Sequence, residues 1–255
     1  MQGSELVGDG VDGDGDGIAD EMTVGDLTAL TVYLAAQPRP LTFRAIASVG
    51  EATAINPAQI AEIDEGEALF SEIGCANCHR PELEIEVPIY SEPSTRETHR
   101  DAVFPGGQDP ESEGLSEDTA ITFDLTADIP DNLFIDPMTG MEVHLGAFES
   151  NGEGGAIVRL FGDLKRHYMG PRLAESVDET GNGRATWMTK ELWGVGSTPP
   201  YLHDGRATTL TEAIDYHGGE SAPSRNNFFA LSPADQAAII AFLNDMTIFL
   251  PAEEE

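Results

Sequence analysis

Apolar residues recur at helical spacing in three stretches of the chain. From Thr23 to Gln37, residues Leu27, Leu30, Val32 and Leu34 give a mostly apolar face, and Pro38 and Pro40 stop the helix. From Glu65 to Gly74 the pattern predicts a short amphipathic helix with Leu69, Phe70 and Ile73 towards the core. The third stretch opens at Ser232-Pro233-Ala234-Asp235, with a serine cap, proline at the first helical position and an acid in the first turn. Ala237, Ile240, Ala241, Leu243 and Asn244 carry it towards Leu250, with Met246 inside as a core residue and Pro251 beyond. This last helix suits packing on the second. Residues 41–63 read as a connection with short structured pieces. The stretch from Pro81 to Asn132 is rich in Pro, Glu, Ser and Thr, and Ile121 to Leu125 is strand-like, so loops and a small β element are expected there. The chain thus divides into residues 1–40, an acidic segment plus a helix, and residues 41–255, a mainly α domain with an insertion at about 81–160.

A length of 255 residues suits one large domain or two small ones. The formal charge of -33, from 46 acidic against 13 basic residues, changes the picture more. Such a surface repels nucleic acid and anionic membranes and favours cationic partners, bound cations or a saline habitat. No apolar run approaches the roughly 18–20 residues of a membrane span, so neither nucleic acid binding nor membrane insertion is expected. The N-terminus, Met1 to Glu5, shows no signal-peptide pattern.

Part of the acidity is concentrated between Gly8 and Glu21. Asp12, Asp14, Asp16 and Asp20, with Gly17, fit positions one, three, five, nine and six of a calcium loop. The closing bidentate position falls on Thr23, which cannot supply a carboxylate; Asp26 or Glu21 could substitute. A calcium site and a solvated acidic linker both fit.

The two cysteines, Cys75 and Cys78, stand three apart with His79 directly after. A disulfide or a redox dithiol is one reading, but a redox dithiol belongs near a βαβ pattern, which is missing around this one. The other reading is covalent attachment of a c-type haem. Two thiols at this spacing add across the haem vinyl groups on one edge of the macrocycle, and His79 then lies under the iron as proximal ligand. One motif implies one covalent haem. Haem of this kind is attached outside the cytoplasm, so a periplasmic or extracytoplasmic location is expected, with a leader and upstream portion absent from this chain. A methionine opposite His79 would raise the potential, a second histidine would lower it, and an open position would permit ligand chemistry. The candidates are Met138, Met141, Met169, Met188, His144, His167, His203 and His217. Met138 and Met141 flank a turn, Asp136 to Gly140, and read as loop residues; Met169 precedes Gly170-Pro171, and Met188 adjoins Trp187.

Three downstream segments carry a resemblance. They are Thr189-Lys190-Glu191-Leu192-Trp193-Gly194-Val195-Gly196, Tyr201-Leu202-His203-Asp204-Gly205-Arg206-Ala207 and Glu212-Ala213-Ile214-Asp215-Tyr216-His217-Gly218-Gly219-Glu220. Together they resemble the C-terminal haem domain of the di-haem oxidoreductases, also called thiol oxidoreductases, which are related to bacterial di-haem cytochrome c peroxidases and their amine-oxidising relatives. His167-Tyr168-Met169-Gly170 is similar to that family's His-Asp-Met-Gly element, with Tyr168 in place of the acid, and Asp20 to Leu30 resembles the segment before its second haem motif. The resemblance implies a cytochrome c-like haem domain with long loops. It implies Met169 as distal iron ligand, with Met188 as runner-up. It places His203 by the haem pocket or a propionate, and Arg206 on a propionate, to which a guanidinium forks well. His217 near the haem and Trp193 on an electron path are weaker implications, since both could simply be structural.

Two functions follow. One is a mono-haem electron-transfer domain that serves a redox partner protein or a second haem domain. The other is a peroxidase or oxidase of which this chain is the C-terminal part, because relatives use two haems and this sequence carries one motif. A calcium-binding module resting on Asp12 to Asp20 is a third, weaker alternative.

Overall fold

The structure, a computed structural model, describes residues 12, 24–48, 55–92, 94, 120–127, 133–135, 142–144, 146–178 and 181–247. The early helices are α1 (Val24–Ala35), α2 (Phe43–Ser48) and α3 (Pro57–Glu72). Short strands follow: β1 (Leu83–Ile85), β2 (Ile89–Glu92), β3 (Ile121–Asp124), β4 (Leu133–Ile135), β5 (Glu142–His144), β6 (Glu149–Ser150), β7 (Ala156–Val158), β8 (Arg166–Tyr168) and β9 (Thr186–Met188). The chain closes with α4 (Leu210–Tyr216), α5 (Ala222–Ala230) and α6 (Pro233–Asp245). The described residues therefore combine helices with small sheets.

The elements fall into two units. The first contains α1, the β2–β3 ribbon and residues 146–156. Its ribbon is antiparallel, with Ile89 opposite Asp124 and Glu92 opposite Ile121, and Tyr90 stacks on Phe123 at 4.8 Å. Arg39 Nε donates to the Ala147 carbonyl at 2.7 Å. Helix α1 forms where expected, but Leu27, Leu30 and Leu34 are exposed rather than packed.

The second unit holds α2 to α6 and, with them, Cys75, Cys78, His79 and the downstream histidines His144, His167, His203 and His217. Its frame is α3 against α6. The sequence pattern starts this first helix at Glu65, whereas α3 begins eight residues earlier, at Pro57. The reason is a capping box: Asn56 Oδ1 accepts from the amides of Ala58 and Gln59, and the Gln59 side chain accepts from the Asn56 amide. Gly66 lies at the crossing, where a Cβ would overlap the Ala238 carbonyl of α6. Ile63, Phe70 and Ile73 of this segment pack with Ile239, Phe242, Leu243, Phe161 and Phe228 into one core. Ring centres lie 5.3 Å apart for Phe70–Phe242 and 5.5 Å for Phe161–Phe242. Burying a side chain such as Phe242 contributes roughly 1.5–3 kcal/mol.

Ser232 caps α6 as expected, its Oγ accepting from the Asp235 amide at 3.2 Å. The helix stops at Asp245 rather than Leu250, and Met246 is a core residue just past its end, bridged to Thr42. The reason is an ionic anchor. The buried Asp245 carboxylate accepts from the Arg44 amide at 2.9 Å and from Arg44 Nε at 2.7 Å. Arg44 also reaches Asp64 at 2.6 Å and Glu67 at 2.9 Å. One guanidinium therefore ties α2 to both α3 and α6.

Candidate functional site

The end of α3 presents the two thiols. The Ile73 amide donates to the Leu69 carbonyl at 2.9 Å, closing the last turn, and Asn227 Nδ2 donates to the Ile73 carbonyl at 3.2 Å. Gly74 then takes φ +93, which reverses the chain without a Cβ clash. Residues Cys75–Asn77 form a tight turn, and the Cys78 and His79 amides donate back to the Cys75 carbonyl at 3.3 and 3.0 Å. Both cysteines are half-buried and free. Burial pushes the Cys75 thiol up to about 11. The Cys78 thiol is raised by burial and then by the nearby Asp163 and Glu220 carboxylates.

His79 turns inwards. Its ring packs 6.2 Å from Phe70, and Nδ1 donates to the Phe161 carbonyl at 3.1 Å. This bond fixes the tautomer and leaves Nε2 with its lone pair. Burial, and then His217, push the His79 imidazole down to about 4. A neutral ring is the form that binds metal. The segment carrying Phe161 wraps over this histidine: the Gly162 amide donates to the Arg80 carbonyl at 3.0 Å, and Phe161 and Leu164 sit at φ +52 and +56. Left-handed non-glycine residues cost free energy and cluster at functional sites.

A second wall comes from the antiparallel β8–β9 ribbon and the loop after α4. His167 on β8 has both nitrogens engaged, Nε2 with Asp163 Oδ2 and Nδ1 with Glu220 Oε2, each at 2.9 Å. Its Nδ1 also lies 3.9 Å from Cys78 Sγ. Glu220, then Asp163, raise its pKa. Glu220 accepts from the Tyr168 amide at 2.9 Å as well, so the two segments are latched together. Gly218 and Gly219 permit this approach: a Cβ on Gly218 would come within 2.8 Å of the Met169 carbonyl, and one on Gly219 would overlap the Tyr168 carbonyl.

His217 directly precedes that glycine pair at the end of α4, whose start is fixed by a Thr209–Glu212 capping box. Its Nδ1 donates to the Ala213 carbonyl at 2.7 Å. Its ring centre is 6.3 Å from that of His79, with the planes tilted by 49°. Burial lowers its pKa.

The other expected residues lie elsewhere in this unit. Met169 Sδ is 3.8 Å from Ser221 Oγ, beside the glycine pair. Met188 on β9 is 46% exposed. The His203 ring stacks on Trp187 at 3.9 Å, and its Nε2 pairs with Glu175 at 2.9 Å. Arg206 Nε donates to Asp204 at 2.6 Å, another of its nitrogens donates to the Arg172 carbonyl, and the guanidinium lies 5.7 Å over the Tyr216 ring. The hydrogen bonds of His203 and Arg206 thus run to Glu175, Asp204 and Arg172 rather than to Cys75, Cys78 or His79. Trp193 Nε1 donates to the Arg159 carbonyl at 2.6 Å. His144 is placed only as a member of β5. Met138, Met141, Asp14, Asp16 and Asp20 lie outside the described residues, and of the acidic loop only Asp12 is described. Among the described residues, no group of three or more His, Cys, Asp or Glu could hold a bare metal ion, and no helix is long and apolar enough to cross a membrane.

Two free thiols, a half-buried histidine with its tautomer set and a facing wall of β8 and α4 fit a covalently held haem. Sequence reasoning placed the thiols and His79. It missed the support from Phe161 and Asp163, and it weighed His217 only as one histidine among several. The Gly218-Gly219 pair was the available signal, because consecutive glycines mark close backbone approach.

The family described as "Di-haem oxidoreductase, putative peroxidase" matches residues 148–246. The matched segment contains β8, β9 and α4 to α6, while Cys75, Cys78 and His79 precede it. No curated protein and no solved structure matches the chain.

Proposed function

From the premise that residues 148–246 match the di-haem oxidoreductases, we propose that this chain is a c-type cytochrome domain that carries one covalent haem and transfers electrons. The observation that carries this reading is the arrangement at the end of α3. Cys75 and Cys78 are free on one turn, and His79 is half-buried beside them with Nδ1 bound to Phe161 and Nε2 free of any hydrogen bond from the described residues. In this reading Cys75 and Cys78 hold the haem through thioether bonds, and the haem supplies an iron that gains and loses one electron. His79 binds that iron. Phe161 orients His79, and Phe70 and the core behind it keep water away. The location is extracytoplasmic, where such haem is attached, and the partner is a redox protein or a second haem domain.

The test is production of the 255-residue chain behind an export signal in a host that attaches haem c. Haem staining of a denaturing gel is expected to be positive for the wild type and negative for a Cys75→Ala, Cys78→Ala double variant. A wild-type band without haem would overturn the reading. The family match favours a second reading, a peroxidase or oxidase that needs a further haem. Peroxide turnover with a reduced donor by the haem-loaded chain alone would establish catalysis here. No turnover by this chain, but turnover by a longer product, would assign catalysis to the residues which that product adds.

A further inference from the structure

We propose that the sixth position of this haem iron is taken by His217 through Nε2, so that the haem is held between two histidines rather than between a histidine and Met169. The inference rests on the haem reading above. Four observations on the second unit carry it.

The first is the separation of the two rings. A metal–imidazole nitrogen bond is about 2 Å and the ring centre lies about 1 Å further on, so two imidazoles on opposite sides of one metal have centres about 6 Å apart. His79 and His217 stand 6.3 Å apart. The second is the matching tether. Each ring donates Nδ1–H to a backbone carbonyl, Phe161 for His79 and Ala213 for His217. This is the usual support of a metal-binding histidine, and it presents Nε2 in both. Neither Nε2 has a hydrogen-bond partner among the described residues.

The third is elimination. His167 has both nitrogens engaged by carboxylates, and His203 Nε2 is paired with Glu175. Met246 is packed in the helical core, and Met188 is exposed. Of the candidates whose side chains are described, Met169 remains, and its sulfur faces the Ser221 hydroxyl. The fourth is positioning. The loop after His217 is held by Glu220 on the Tyr168 amide and by the close approach of Gly218 and Gly219 to residues 168–170. Met169 therefore belongs to the backbone support of the His217 loop.

Two consequences follow. A second imidazole in place of a thioether lowers the potential relative to a His/Met centre. With both axial positions filled by the protein, this haem relays electrons and does not meet peroxide unless His217 leaves.

The experiment reads the optical and electron paramagnetic resonance spectra of haem-loaded wild type, Met169→Leu and His217→Ala. The expected wild type is low-spin and lacks a sulfur-to-iron charge-transfer band, and Met169→Leu is unchanged. His217→Ala is expected to become high-spin or to bind added imidazole and return to low spin, and to bind cyanide faster than wild type. A sulfur-to-iron band in the wild type that disappears in Met169→Leu would overturn the assignment, as would a high-spin wild type. Should His217→Ala fail to fold, the wild type and Met169→Leu still decide. Absence of covalent haem on the gel would instead sink the haem reading itself, so the two failures are distinguishable.

Discussion

At the residue scale, His167 shows how one imidazole is shared between two segments. Glu220 and Asp163 both accept from it and raise its pKa above the ordinary value. The carboxylates shift the other way. The Tyr168 amide and then His167 lower Glu220; burial opposes the change at Asp163, but the Lys165 amide and His167 outweigh it. The signs set a window. A histidine whose folded pKa is raised stabilises fully below its unfolded value of about 6.5, and this stability is lost as pH rises through the folded value. The carboxylates stabilise above their unfolded values and lose that contribution as pH falls through their lowered ones. Stability conferred by this triad is therefore greatest between the carboxylate and histidine ranges and declines on the alkaline side. Urea midpoints between about pH 6 and about pH 9 should fall in the wild type and fall less in His167→Gln. Equal slopes in the two proteins would show that the triad is not linked to folding.

At the element scale, the crossing of α3 and α6 depends on Gly66. Glycine inside a helix is ordinarily a weakness, worth about 1 kcal/mol against alanine. Here the missing Cβ leaves room for the Ala238 carbonyl, a backbone group that cannot rotate aside. Gly66→Ala should cost about 1–3 kcal/mol through overpacking, more than its gain in helix propensity. The check is the denaturant midpoint, and a raised midpoint would show that the two helices separate freely. Helix ends were legible where their chemistry is local. Ser232-Pro233 announces α6, whereas the start of α3 at Asn56-Pro57 went unread, because the apolar pattern followed there begins eight residues later. The end of α6 was not legible, because it is set by the contact of Asp245 with Arg44, 201 residues away in sequence.

At the scale of the whole molecule, the charge of -33 dominates. Of the 13 basic residues, Lys165, Arg166, Arg172, Arg184, Lys190 and Arg206 fall between residues 165 and 206, so the repulsion is relieved there and concentrated elsewhere. Unscreened like charge opposes the compact state, and salt screens it over about 10 Å at 0.1 M. The melting temperature should therefore rise between low salt and about 0.5 M sodium chloride, and sodium chloride and potassium chloride should act alike. A melting temperature that falls with salt would mean that attractive ion pairs such as Arg44–Asp245 outweigh the net repulsion.

The sequence by itself determined what depends on neighbours in the chain. Cys75, Cys78 and His79 are four residues apart at most, and their spacing suggests haem attachment without any fold. The cap at Ser232 is equally local. Tertiary structure alone decided what lies opposite His79. Met169 and His217 are both plausible donors when read along the chain, and nothing in their spacing from residue 79 separates them. Folding does, because β8 meets the loop after α4 through Gly218, Gly219 and Glu220. That contact turns the Met169 sulfur towards Ser221, while α4 brings the His217 ring across from His79. The Cys75–His79 motif is thus what suggests a haem, and long-range packing is what sets the His217 ring beside His79.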